Sequence, residues 1–364
     1  MRVAYDHQIF GWQRYGGISR YFFELARHID AHEGVSFKIV SPLFVNEYLL
    51  ESELPVAGIH APQIHRTGRL YRELNRWIAP IAMRRFNPDL VHETYYSQGT
   101  VAPRGAKVVT TVHDMIHELF PGDFSKWDAT TREKASAVKR ADHVICVSEN
   151  TRKDLVRILD VDPTKTSVVH HGFELSQRPA GIRRCAEPYI LYVGSRGGYK
   201  NFDILLQAYA ASASLHNHFR LVAFGGGLLT AREQARVEAL SGGKWDVLHF
   251  SGGDDVLADL YSFAEVFVYP SLYEGFGIPP LEAMSCACPV LCTDRSSLPE
   301  VVGDAARFFD PESLDSLIDA LNQVVSDSSF RQILINKGHL RCAEFSWGKC
   351  AEETLEIYKR LIAS

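Results

Sequence analysis

Short apolar runs alternate with longer amphipathic ones along the whole chain. In the first half the runs at 3–5, 37–41, 90–92, 108–112, 144–147 and 167–170 predict strands. In the second half those at 189–193, 220–224, 247–250, 266–269, 289–292 and 307–309 do the same. Helical spacing lies between most of them, at 18–28, 130–140, 151–158, 202–211 and 257–263 among others. Runs this short and this apolar suit strands buried on both faces, and their alternation with helices implies parallel sheets. Two sets of six strands predict two doubly wound α/β domains rather than one very wide sheet. A length of 364 residues agrees, since single cores rarely grow past about 250–300 residues. The stretch between Gly172 and Pro188 has weak periodicity and suits a linker.

Composition narrows the class. A hydrophobic content of 46% supports well-filled cores, and a net charge of −5 gives no general argument for nucleic acid or an anionic membrane. The seven cysteines include no C-x-x-C pair and are odd in number, which favours reduced thiols in a cytoplasmic protein over a disulfide framework. Cys286, Cys288 and Cys292 read as small packing residues, since no further ligands at metal-site spacing accompany them. Met1 leads straight into a strand with no charged and apolar leader, so no signal peptide is expected. No apolar stretch reaches the ~20 residues of a membrane span, so any membrane contact would be peripheral.

The densest chemistry is Glu274-Gly-Phe-Gly-Ile-Pro-Pro-Leu-Glu282. It follows the apolar run 266–269, and Pro279 and Pro280 suit first helical positions. The unit therefore reads as strand, glycine loop and helix start, with a carboxylate at each end of the loop. Such a helix start presents N–H groups and a positive dipole end to an anion. Gly275 and Gly277 permit close approach or positive φ. The carboxylates suit hydroxyls instead, so the ligand should carry both phosphate and sugar.

Four further stretches each follow a predicted strand. Gly16-Gly17 precede the helix from Ile18 and offer backbone N–H groups to a diphosphate or an acceptor. His113-Asp114, with His117 nearby, reads either as a metal ligand set or as a histidine at a substrate. Arg196 and Lys200 lie four apart across Gly197-Gly198, where two cations would stabilise a leaving diphosphate. The loops at Gly225 and at Ser251 are open enough for a base and ribose to lie against backbone. No G-x-G-x-x-G follows any strand, so this is not the dinucleotide fingerprint.

The 274–282 segment, continued through Pro289-Val-Leu-Cys292 and Ser296-Ser-Leu-Pro-Glu-Val301, resembles the E-x7-E signature of retaining GT-B glycosyltransferases of family four, the glycosyl transferases group 1. The resemblance implies two Rossmann-like domains facing across a cleft. The first would be 1–172 plus 347–364, on the acceptor side, with a C-terminal helix crossing back to it; the second, 173–346, would bind the donor. It also implies roles. Glu282 would accept from ribose hydroxyls. Glu274 would hold the donor sugar, helped by N–H groups around Gly275, Phe276, Gly277 and Ile278. Arg196 and Lys200 would take the diphosphate, and His113 would sit near the donor sugar. Gly197-Gly198-Tyr199 departs from the family's usual acidic-proline-arginine filling, so the two cations are expected on a loop of different shape.

The segments at 16–22 and 193–201 are similar to mannosyltransferases of surface-polysaccharide assembly, which makes GDP-mannose the leading donor and a saccharide or lipid-linked saccharide the acceptor. No cofactor or divalent metal is implied, and no nucleic acid partner. Competing readings are a GT-B nucleotide-sugar epimerase and a non-catalytic nucleotide-sugar-binding module. Finally, Arg66, Arg69, Arg72, Arg76, Arg84 and Arg85 surround a helical apolar stripe of Leu70, Leu74, Trp77, Ile78 and Ile81. That helix either rests on an anionic membrane at its inner face or packs its stripe into the core.

Overall fold

The computed structural model describes residues 1–62, 67–174 and 181–364. The chain divides into two compact units, Met1–Gly172 with Ser346–Ser364, and Phe173–Phe345. In the first, strands β1 (Arg2–Tyr5), β2 (Ser36–Phe44), β3 (Val56–His60), β4 (Leu90–Glu93), β5 (Lys107–Val112), β6 (His143–Cys146) and β7 (Thr166–Val168) form one parallel sheet. Its order is β3-β2-β1-β4-β5-β6-β7. In the second, β8 (Tyr189–Val193), β9 (Arg220–Phe224), β10 (Val247–Phe250), β11 (Val266–Tyr269), β12 (Val290–Thr293) and β13 (Ala306–Phe309) are ordered β10-β9-β8-β11-β12-β13, again all parallel. β4, β6, β8, β11 and β12 are buried at every residue, as strands covered by helices on both faces must be.

The first sheet has one strand more than the sequence predicts. β3 is an edge strand, Val-Ala-Gly-Ile-His, with no fully buried residue, so it lacks the apolar run that marks its neighbours. It also needs Gly58. A Cβ there would lie 1.7 Å from the Ser41 carbonyl oxygen, where the β2–β3 register shifts between Val40 and Leu43.

Tyr5, Phe22, Leu25, Ile39 and Ile145 share one core with Trp347, Leu355 and Tyr358 of the terminal helix Trp347–Ala363. Burial of each such side chain contributes roughly 1.5–3 kcal/mol, enough to fix that helix to the first unit. Ser346 caps it by accepting from the Lys349 N–H at 3.2 Å. Gly172 lies against its start, where a Cβ would meet the Trp347 nitrogen at 2.3 Å. The second unit's core is built separately, from Ile190, Tyr192, Leu221, Val268 and Leu291 with Leu205, Leu317 and Leu321.

Both sheets reverse their winding once, between β1 and β4 and between β8 and β11. At such a reversal the loops beyond the carboxyl ends of the two strands splay apart and leave a crevice.

Candidate functional site

The reversal in the second unit brings together the loops after β8 and β11. Glu274 and Glu282 are both buried, at 8% and 9% exposure. Lys200 donates to Glu274 Oε1 at 2.6 Å, and its ammonium stands 5.2 Å and 5.4 Å from the ring centroids of Tyr199 and Tyr269. Tyr261 donates to Glu282 Oε2 at 3.5 Å. Gly277 has φ 106° and opens the helix Ile278–Ser285. The positive φ calls for glycine there, and a Cβ would also lie 2.8 Å from Leu298 Cδ2, which would have to shift. Pro279 and Pro280 carry no N–H, which leaves Gly277 and Ile278 to supply the N–H groups at that helix end.

The loop is held from behind by residues that sequence reasoning assigned no role. The Glu274 N–H donates to Ser296 Oγ at 2.9 Å. The Ser297 hydroxyl reaches the carbonyls of Glu274 at 2.9 Å and Phe276 at 2.7 Å. Thr293 donates to the Ser271 carbonyl at 2.7 Å, and the Leu272 N–H to that of Tyr199 at 2.7 Å. Ser296 takes φ 53° to do this. The signal in sequence is only a pair of serines ahead of Leu298-Pro299, and nothing in it names the loop they clamp.

Arg196 goes elsewhere. Its side chain is 1% exposed and its Nε donates to Glu233 at 2.8 Å. Its Nη atoms donate to the carbonyls of Gly225 at 2.8 Å, Gly226 at 3.3 Å, Gly227 at 2.8 Å and Leu228 at 3.1 Å. Those three glycines have φ 79°, 67° and 73°, which turns their carbonyls toward the guanidinium. Glu233 is itself fixed by a capping box with Thr230 at the start of the helix Ala231–Ser241. The two cations paired in the sequence thus have different partners: Lys200 meets the site carboxylate, and Arg196 shapes the loop after β9. Gly225 is part of that loop, and His249 Nε2 lies 3.0 Å from its carbonyl. Ser251 is exposed beyond the carboxyl end of β10.

The remaining candidates lie in the first unit. His113 follows β5 and is packed on Tyr21 at 5.1 Å and stacked on His171 at 5.7 Å. Burial first, then the neighbouring His92 ring and the Lys134 ammonium, push its pKa down to about 3, so it is neutral at ordinary pH. Among the described residues its buried Nε2 has no hydrogen-bond partner. His117 stacks on Phe124 instead, at 3.9 Å. Among the described residues no group of three His, Cys, Asp or Glu could hold a metal ion, so the metal reading of His113, Asp114 and His117 finds no support. Gly17 begins the helix Gly17–Asp30 and a Cβ there would meet open space. Gly16 is hemmed in by Gln13, whose side-chain oxygen accepts from the Ser19 N–H at 3.2 Å.

The basic helix Thr67–Phe86 does not pack its apolar stripe into the core. Its buried residues are Asn75, Ala79 and Met83. Asn75 anchors it by exchanging two hydrogen bonds with the Leu43 backbone, at 2.7 and 2.8 Å. Leu70, Leu74, Trp77, Ile78 and Ile81 all face out, Trp77 at 74% exposure. Arg66 lies outside the described residues. Among the described residues no helix is long and apolar enough to cross a membrane.

Two parallel-sheet Rossmann-like units, each with a single winding reversal, define the GT-B class of glycosyltransferase. Superposition agrees: sucrose-phosphate synthase from Thermosynechococcus elongatus matches with TM-score 0.76 at 20% identity over 100% of this chain and 99% of that one. The model of Glycosyltransferase Family 4 matches residues 15–177, and that of Glycosyl transferases group 1 matches residues 177–341. The O-antigen chain mannosyltransferase B of Escherichia coli is 29% identical over 95% of this chain and 96% of its own length. The MMP alpha-(1->4)-mannosyltransferase of Mycolicibacterium hassiacum is 38% identical over 78% of this chain and 73% of its own. Some relatives are longer: the chain spans 38% of the Escherichia coli serotype-specific mannosyltransferase WbdA. The chain belongs to the family-four glycosyltransferases.

Proposed function

We propose that this protein transfers mannose from GDP-mannose to a saccharide or lipid-linked saccharide in polysaccharide or lipopolysaccharide synthesis, retaining the anomeric configuration and without a divalent metal. The observation that carries the reading is the ion pair of half-buried Lys200 with buried Glu274 beside the Gly277 helix start, at the winding reversal of the second unit. The choice of mannose rests on the two mannosyltransferase relatives.

In this reading Glu282 accepts from the ribose and Glu274 from the hydroxyls of the sugar. The ammonium of Lys200 keeps one proton on Glu274 and turns the others to the diphosphate, with the N–H groups of Gly277 and Ile278 adding to it. As the bond from C1 to the phosphate oxygen breaks, negative charge grows on that oxygen, where these donors already stand. The acceptor hydroxyl forms its bond to C1 from the same face and gives its proton to the departing phosphate oxygen. His113, being neutral and buried, contributes shape and a hydrogen-bonding nitrogen rather than a proton.

The test is direct. With GDP-mannose and a mannose oligosaccharide, GDP should be released, EDTA should leave the rate unchanged, and NMR of the product should give an α linkage. Release from UDP-glucose alone would move the donor assignment; no release from any sugar nucleotide would defeat the reading.

The outward stripe of the helix Thr67–Phe86, with Arg69, Arg72, Arg76, Arg84 and Arg85 on the same helix, supports peripheral docking on anionic lipid. Each basic residue near such a surface is worth about 1 kcal/mol. Changing Arg69, Arg72 and Arg76 together to Ala should therefore weaken co-sedimentation with phosphatidylglycerol vesicles by about 100-fold. Equal binding by parent and variant would remove the membrane from the account.

A further inference from the structure

The first unit also has a winding reversal, and aromatic side chains, two of them exposed, stand on the connections around it. β1, β4 and β5 are neighbours in the sheet, and the connections beyond their carboxyl ends carry Trp12, Tyr95 and, past the short helix Ile116–Leu119, Trp127. Trp12 is 50% exposed and Trp127 92% exposed. The rings of Trp12 and Tyr95 are 5.2 Å apart. The Tyr95 phenol reaches the third loop, beside the Thr130 side chain and near the Asp128 and Asp114 carboxylates. Asp128 accepts from the Thr130 N–H at 2.8 Å, and Trp127 is the residue before it.

Tyr95 packs at the margin of the first unit's core, whereas the Trp12 and Trp127 indoles are exposed and outside it. Large indoles left in water cost free energy unless a ligand covers them, and one beside carboxylates and amides suits a ligand that is apolar on one face and hydroxylated at its edge. A pyranose has that form: its axial C–H groups lie flat on a ring while its hydroxyls meet polar neighbours. Polar neighbours are present. Gln8 donates to Asp6 at 2.8 Å and lies 3.2 Å from Ser97 Oγ, which fixes both beside Trp12's loop.

We infer that Trp12, Tyr95 and Trp127 form a stacking platform for the saccharide acceptor, so that the enzyme recognises more than the single sugar it extends. This rests on the glycosyltransferase reading, and the two can fail separately. The experiment is an NMR titration of the intact protein with α-mannotriose, maltotriose, chitotriose and methyl α-mannoside. It is repeated on Trp12→Ala, Trp127→Ala and, as a control on the basic helix, Trp77→Ala. At least one trisaccharide should bind more tightly than the monosaccharide. Trp12→Ala and Trp127→Ala should each weaken it by about 3–10-fold, while Trp77→Ala leaves it unchanged. Acceptor KM should rise in parallel, with donor KM and acceptor-free GDP release unaltered. Binding that is unchanged by both substitutions, or lost only in Trp77→Ala, overturns the platform even where transfer is observed. Absence of binding by any of the three trisaccharides across their soluble range overturns it as well. Loss of all GDP release, by contrast, bears on the glycosyltransferase reading alone.

Discussion

Changing Lys200 to Ala is expected to lower kcat by about 10²–10³-fold, the usual loss when a donor aimed at developing charge is removed. Arg196→Ala should behave differently, although the sequence pairs the two residues. Its guanidinium satisfies Glu233 and a run of four carbonyls while almost wholly buried. Removing it takes a donor from Glu233, which keeps only its Thr230 capping bonds, and from several carbonyls, at a cost of about 3–5 kcal/mol. The loop after β9 then loses its shape, so the defect should appear as a raised donor KM and a lower melting temperature, with a smaller fall in kcat. Arg196→Lys should restore little, because one ammonium cannot span five acceptors in a plane. Steady-state kinetics at saturating acceptor, paired with thermal melts, separate the two. If Arg196→Ala lost kcat as Lys200→Ala does, at unchanged donor KM and stability, the division of labour drawn here would be wrong.

The second large effect is loss of stability on mild acidification, localised to the first unit. His92 and His113 are pushed down to about 3, each by burial first, and burial also drives His171 well below its ordinary value. His92 shares its ring nitrogens with the hydroxyls of Tyr358 and Thr111, so the group lies where the terminal helix meets the sheet. All three are neutral in the folded protein and charge near 6.5 once unfolded. Between about pH 6.5 and pH 3 the unfolded chain therefore binds more protons, and stability falls as pH falls. At pH 5 His92 and His113 each account for about 2 kcal/mol, and His171 acts in the same direction. Glu93 acts in the opposite sense. Burial raises it to about 7, so the folded state takes up its proton first, which offsets about one histidine. His143, pushed down to about 4, adds to the loss. The net expectation is a loss of about 4 kcal/mol or more between pH 7.5 and pH 5, a large share of the 5–15 kcal/mol typical of a domain. Thermal melts across that range, with amide exchange read separately in each unit, check it. Unchanged protection around β4, β5 and the terminal helix at pH 5 would contradict it.

Much of the fold is legible along the chain because its signals are local. A doubly covered parallel strand must be a short apolar run, and β8, β11 and β12 are such runs. The segment from Glu274 to Glu282 is legible for a similar reason: Gly277 answers a backbone need for positive φ, and paired prolines suit only a helix start. β3 is not legible, because an edge strand need not be apolar and Gly58 is there for the Ser41 carbonyl of another strand.

What the sequence determined by itself is therefore the set of elements, the two sheets they build and the loop that carries the acids. These follow from burial period and backbone conformation, which each residue expresses within a few neighbours. Tertiary structure alone decided where the long polar side chains point. Arg196 turns to carbonyls some thirty residues on because the β9 loop is folded beside it. Ser296 and Ser297 reach back to Glu274 and Phe276 across adjacent strands. The stripe from Leu70 to Ile81 stays in solvent because Asn75, on the opposite side of the helix, is the residue that finds a partner in β2. A flexible or amphipathic side chain takes its direction from the acceptors and surfaces that folding brings to it, and those come from distant parts of the chain.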